Sequence, residues 1–172
     1  GKLDEAKSYC RCAFAIRERG LSTDHRSAAM IRNNLADVLE LRGKYDDAEP
    51  LFKRALAIRE ETLGPLHPDV AESLNNLALL LRSQGKYDDA EPLSKRALAI
   101  REETLGPRHP DVALSLNNLA GLLNSQGKYD DAEPLYKRAL AIGEETLGPR
   151  SLCVATSLNN LALLLTSQVM CH

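Results

Sequence analysis

The sequence predicts an all-α protein, an α-solenoid of about eight helices in antiparallel pairs, and three observations carry that expectation. The chain repeats itself every 42 residues without a slip in register. Apolar residues recur at steps of three and four within each repeat. Glycine and proline fall at two fixed places, which divide each repeat into two helices. A period of roughly 20 to 50 residues means stacked supersecondary units that share one continuous core.

The copies are residues 1–42, 43–84, 85–126 and 127–168, followed by the remnant 169–172, and they form a single array over 1–172. The second and third copies differ at only five positions, Phe52/Ser94, Leu66/Arg108, Glu72/Leu114, Leu79/Gly121 and Arg82/Asn124. The first helix type runs from about Pro68 to Gln84. Pro68 sits in the first turn, where its missing N–H is harmless, Asp69 lies beside the positive helix end, and His67 is placed to cap it. Ser83-Gln84-Gly85-Lys86 breaks this helix. The second type runs from about Asp88 to Leu105, opened by Asp88, Asp89 and Glu91, with Pro92 at or just past the first turn. Gly106 suits a left-handed cap and Pro107 cannot continue the helix.

Ala71, Leu74, Leu77, Ala78 and Leu81 form the buried stripe of the first type, and Ala90, Leu93, Ala97, Leu98 and residues 100–105 that of the second. Small residues at Ala78, Ala90 and Ala97 let the backbones approach, while Phe52 or Tyr136 fills the wider gaps. Tyr45, Tyr87 and Tyr129 are expected between helices with their hydroxyls at the edge. Glu49/Lys53, Glu91/Lys95 and Glu133/Lys137 are acid-first pairs four residues apart, which support exposed helices.

The arrangement Leu74-x2-Leu77-Ala78-x2-Leu81, then Gly85, Tyr87, Ala90-x3-Ser94 and Ala97, resembles the tetratricopeptide repeat. The strings Asn75-Asn76-Leu77-Ala78, Gly85-Lys86-Tyr87-Asp88-Asp89-Ala90-Glu91-Pro92-Leu93 and Leu105-Gly106-Pro107-Arg108-His109-Pro110-Asp111-Val112-Ala113 look like the longer repeat of kinesin light chains and their relatives. The resemblance implies a right-handed superhelix with a concave groove, a non-catalytic protein–protein interaction scaffold, and recognition of a peptide, adaptor or cargo protein. In that family the groove receives peptides whose tryptophan is flanked by acidic residues.

Departures gather at the ends: Arg32 replaces the leucine of Leu74, Leu116 and Leu158, and Ser151-Leu152-Cys153 replaces His109-Pro110-Asp111. Ser151 can still cap. With Gly1 first, the chain reads as a cut array that starts on a second-type helix and ends on a first-type helix, about Leu152 to Gln168. Val169 onward marks where a further helix would begin, and both ends are expected to expose apolar surface. An alternative function follows, an architectural module that self-associates through these terminal helices.

Composition narrows the partners. With 22 basic against 24 acidic residues and a net charge of −2, no positive field gathers nucleic acid or an anionic membrane. No apolar run in the sequence approaches the roughly 20 residues that span a bilayer. Cys10, Cys12, Cys153 and Cys171 lack metal-ligand spacing and read as free thiols of a reducing compartment, which places the protein in the cytoplasm. His25, His67 and His109 are 42 apart at equivalent positions, too far separated to share a ligand, and His172 is terminal. No phosphate loop or nucleophile–base set appears, so no catalysis, metal or cofactor is expected.

One stripe differs between copies. Positions 72, 75, 79 and 82 lie on one face of the first-type helix, apart from the buried stripe, and hold three of the five differences between the second and third copies. Glu72, Leu114 and Thr156 are equivalent, as are Asp37, Leu79, Gly121 and Leu163, and Glu40, Arg82, Asn124 and Thr166. A packed face does not tolerate such changes, so the stripe is expected to face the groove. Its constant member is Asn33, Asn75, Asn117 and Asn159. An amide carries donors and an acceptor, suited to the backbone of an extended peptide, while the variable neighbours read its side chains; the alternative is that these asparagines hydrogen-bond within the repeat.

Overall fold

The structure, a computed structural model, describes residues 25–170 together with Glu5 and Ser8. Its described helices are α1 His25–Glu40, α2 Tyr45–Leu63, α3 Pro68–Ser83, α4 Tyr87–Leu105, α5 Pro110–Ser125, α6 Tyr129–Leu147 and α7 Leu152–Met170. The second-type helix expected at the start of the chain, with Cys10 and Cys12, falls outside the described residues, as do Cys171 and His172.

The helix boundaries have local causes. His67 Nδ1 accepts the Asp69 N–H at 3.1 Å, His109 Nδ1 accepts that of Asp111 at 3.1 Å, and Ser151 Oγ accepts that of Val154 at 3.3 Å. Gly106 ends α4 at φ 87°, a left-handed conformation that side chains with a Cβ resist, and its N–H donates to Glu102 O at 3.2 Å. α7 runs through to Met170, two residues beyond the expected end. Val169 stands where the other copies place Gly43, Gly85 and Gly127 at φ 69°, 75° and 76°, and a β-branched residue does not make that stop. No new helix begins at residue 169.

Each first-type helix packs on the helix that follows it, and each pair stacks on the next, with α3 touching α5 and α5 touching α7. Val70, Ala71, Leu74, Ala97 and Ile100 form one core layer, and Val112, Ala113, Leu116, Ala139 and Ile142 form its copy. Phe52 and Tyr136 occupy the wide slot, and Ser94 is buried there in the copy between them. Leu116 is fully buried, whereas its copy Leu158 is 51% exposed because α7 has no following helix over it. Leu165 and Val169 on the same helix are exposed as well. Contrary to the expectation from run length, Leu152–Val169 is long and apolar enough to cross a membrane by length and composition alone. Its apolar pattern matches that of α3 and α5, whose leucines are core residues here, and reads as an uncovered packing face.

Charged side chains stitch repeats together as well as stabilising single helices. Glu91 receives Lys95 at 2.6 Å within α4 and Lys128 at 2.9 Å from the next repeat, and Glu49 does the same with Lys53 and Lys86. Arg96 pairs with Glu60, and Arg138 with Glu102, both at 2.6 Å. Hydrogen bonds from Lys95 and Lys128 hold the Glu91 carboxyl at about 2, below its ordinary 4.5. A carboxyl depressed on folding contributes stability above its unfolded pKa and loses it as pH falls through the folded value. Melting temperature therefore drops between about pH 4.5 and 2, and Glu91→Gln flattens part of that slope in a melting series against pH.

Candidate functional site

The variable stripe borders a cleft of about 490 Å³ between α5 and α7, reached also by Arg82 of α3 and by Tyr136 and Leu147 of α6. Of the stripe residues, Arg82, Leu114, Asn117, Gly121, Asn124, Thr156 and Leu163 line it. Asp37, Glu40, Glu72 and Leu79 belong to the α1 and α3 portion of the stripe and lie outside this cleft, as do Asn33, Asn75, Asn159 and Thr166. Leu114 and Leu163 are 49% and 55% exposed, so the cleft presents apolar groups to solvent that a packed interface would cover.

The floor is polar. At Gly121 an added Cβ would lie 2.8 Å from Arg82 Nη1 and 3.3 Å from the Tyr136 hydroxyl, so the glycine lets both reach across the α5 backbone. Burial holds the Tyr136 phenol above its ordinary pKa, offset in part by Arg82, and the hydroxyl stays a donor near neutrality. Tyr136 was read from sequence as a gap filler; it serves the core with its ring and the cleft with its oxygen. Leu147 and Leu152 also contribute, and neither lies on the stripe. Their signal in the sequence is only that they flank the Gly148-Pro149 turn between α6 and α7.

The constant asparagines behave differently from the expectation that they face an open groove. Asn33, Asn75 and Asn117 are buried, and only Asn159 at the uncovered end is exposed. Asn75 Nδ2 donates to Ser115 Oγ at 3.1 Å, and Asn117 Nδ2 donates to Ser157 Oγ at 2.9 Å, each reaching the following repeat. Asn33 Nδ2 donates to Asp37 Oδ2 at 3.3 Å, and its Oδ1 accepts from Asn76 at 3.3 Å. The Asn75 and Asn117 amide donors and the Asn33 oxygen thus join neighbouring first-type helices, which accounts for the constancy of this position in the stripe. Asn117 still borders the cleft, and Asn75 Oδ1 is buried with no hydrogen-bond partner.

A buried arginine completes this joint. Arg101 Nη1 donates to Ser115 Oγ at 2.8 Å and to the Asp111 carbonyl at 3.1 Å, and Arg59 makes the same contacts with Ser73 and Asp69. In the last copy Gly143 replaces the arginine, and an added Cβ there would meet Val154 Cγ2 at 3.2 Å. Ser157 then relies on Asn117, to whose Oδ1 its hydroxyl lies at 3.3 Å. The sequence signal for this network is the fixed 14-residue step from Arg59 to Ser73 and from Arg101 to Ser115.

Charge is divided along the stripe. Burial and the neighbouring Glu72 push the Asp37 carboxyl up, and burial with Asp37 pushes Glu40 up. Glu72 lies 3.4 Å from Arg59. Among the described residues no group of three or more His, Cys, Asp or Glu side chains is placed to hold a metal ion. Cys153 is a free, half-buried thiol at the cleft edge.

The family model of the tetratricopeptide repeat matches residues 1–61, 27–103, 69–145 and 111–168. No curated protein sequence matches significantly. The crystal structure of BtubC (BKLC) from P. vanneervenii is similar at a TM-score of 0.86 and 26% identity, over 98% of this chain and 67% of that one. The crystal structure of a Podosopora anserina putative kinesin light chain with nearly identical TPR-like repeats gives a TM-score of 0.82 and 26% identity, over 99% and 81% of the two chains. Aspartyl phosphate phosphatase F from Bacillus subtilis shares the fold at a TM-score of 0.79 and 21% identity, over 95% of this chain and 41% of that one. The 42-residue period resembles the kinesin light chain type, and by the match along its whole length the chain belongs to the tetratricopeptide repeat family.

Proposed function

We propose that the protein is a non-catalytic interaction scaffold of the cytoplasm that binds a peptide or an extended segment of a partner protein in the groove lined by α1, α3, α5 and α7. The observation that carries this reading is the α5–α7 cleft, where exposed Leu114 and Leu163 flank a floor of Arg82 and Tyr136. Clefts of a few hundred Å³ with an apolar rim and a few polar groups are the usual shape of a recognition site. The variable residues supply specificity, and the asparagine ladder holds the helices that present them.

Selection of binding peptides from a random display library tests the reading. Leu114→Glu is expected to weaken every selected peptide by about tenfold or more with little change in melting temperature, because Leu114 is half exposed. Lys95→Glu, on an exposed second-type helix position, leaves affinity unchanged. Peptides that bind Leu114→Glu as well as the parent contradict the groove.

A second reading, self-association through the uncovered end, is favoured by the exposure of Leu152, Leu158, Leu165 and Val169 on α7. Sedimentation over a concentration series separates the two: a monomer throughout supports the scaffold, and concentration-dependent dimers support assembly.

A further inference from the structure

We infer that the partner segment sets one large apolar side chain into the cleft over Gly121 and a lysine or arginine against Asp37, Glu40 and Glu72. The inference rests on the groove reading above and gives its occupant a chemistry.

The anchor follows from Gly121. The equivalent positions carry Asp37, Leu79 and Leu163, whereas the glycine leaves room for Arg82 Nη1 and the Tyr136 hydroxyl, which a Cβ would meet at 2.8 and 3.3 Å, to floor the cleft. Above this floor the cleft has as its rim Leu114, Leu147, Leu152 and Leu163, exposed by 49%, 48%, 83% and 55%. Its volume of about 490 Å³ exceeds any one side chain, so an anchor enters with part of its own backbone. Arg82 and the Tyr136 hydroxyl at the floor are both donors, suited to the carbonyl oxygens of that backbone.

The cation follows from the division of charge. The α5 and α7 members of the stripe, Leu114, Gly121, Asn124, Thr156, Leu163 and Thr166, carry no charge, while α1 and α3 hold three carboxylates against Arg82 and the buried Arg59, which lies 3.4 Å from Glu72. Among the described residues neither Asp37 nor Glu40 is ion-paired with a lysine or arginine, and Asp37 is bonded only by the Asn33 amide. Half-buried carboxylates crowded together are relieved by a cation, and complementary charge fixes the register of a segment along a groove.

Synthetic peptides of about a dozen residues, long enough in extended form to cross several helices, test this with the chain as it stands. Each carries one phenylalanine flanked by lysine and arginine, by serine, or by glutamate, with a phenylalanine-to-serine control, and binding is read by fluorescence anisotropy. The basic peptide is expected to bind about tenfold tighter than the serine-flanked one, the acidic peptide weakest, and the control not measurably. Gly121→Leu, whose side chain crowds Arg82 and the Tyr136 hydroxyl, weakens all phenylalanine peptides by about tenfold, and Leu163→Glu at the half-exposed rim does the same with little change in melting temperature. Asp37→Asn with Glu72→Gln weakens the basic peptide alone. Acidic peptides that bind as tightly as basic ones, or an unchanged affinity in Gly121→Leu, overturn the inference while leaving the groove reading standing. Failure of every peptide to bind overturns both.

Discussion

Arg101→Ala is expected to lower the unfolding free energy by about 3 kcal/mol, whereas Arg101→Met loses no more than about half of that. Arg101 is 7% exposed, and its guanidinium joins α4 to α5 through Ser115 Oγ at 2.8 Å and the Asp111 carbonyl at 3.1 Å. Alanine removes both charge-assisted bonds and opens a cavity in the joint. Methionine fills most of the space and also removes the desolvation that pushes the guanidinium pKa down. Ser115 retains the Asn75 donor in both variants. Arginine keeps its charge near neutrality even when its pKa is lowered, so the loss does not vary with pH there. Urea denaturation of both variants checks the expectation, and equal losses would show that the arginine serves only as filling.

Leu116→Ala is expected to cost about 3 to 4 kcal/mol, and the same substitution at its copy Leu158 under about 1 kcal/mol. Leu116 is fully buried among Val112, Ala113, Ala139 and Ile142, where the lost methyl groups leave a cavity the neighbouring helices cannot close. Leu158 is 51% exposed on α7 and loses little. The sequence treats the two as equivalent, so the contrast reports directly on stacking. Comparable losses would mean that the α7 face is covered in solution, as the self-association reading requires.

The helices, their punctuation and the core stripe were legible because each follows from local rules that the period states four times. His67, Gly106 and Ser151 act within a few residues of themselves, and Ala71, Leu74 and Leu77 repeat a periodicity that only a helix uses. The α7 end was misread because Val169 lacks the glycine on which the expected stop depended. The stripe is visible as variation at Glu72, Leu114 and Thr156, which are exposed, whereas its member Gly121 is buried against Arg82 and Tyr136. The asparagines were misread for the opposite reason: constancy fits a ligand contact and an inter-repeat bond equally well. Only the distance from Asn75 to Ser115, 40 residues on, decides between them. Arg59 and Arg101 escaped notice because a charged residue on a helix usually faces water, and their burial arises from the helix that follows.

Methyl and amide NMR of the chain titrated with its tightest selected peptide measures where the partner sits. The account predicts shifts clustered at Gly121, Leu114, Leu163 and the Tyr136 ring, with the exposed second-type helix positions around Lys95 and Lys137 unmoved. Shifts confined to those second-type positions, or to Leu158 and Leu165 of α7 in step with dimer formation, would contradict it.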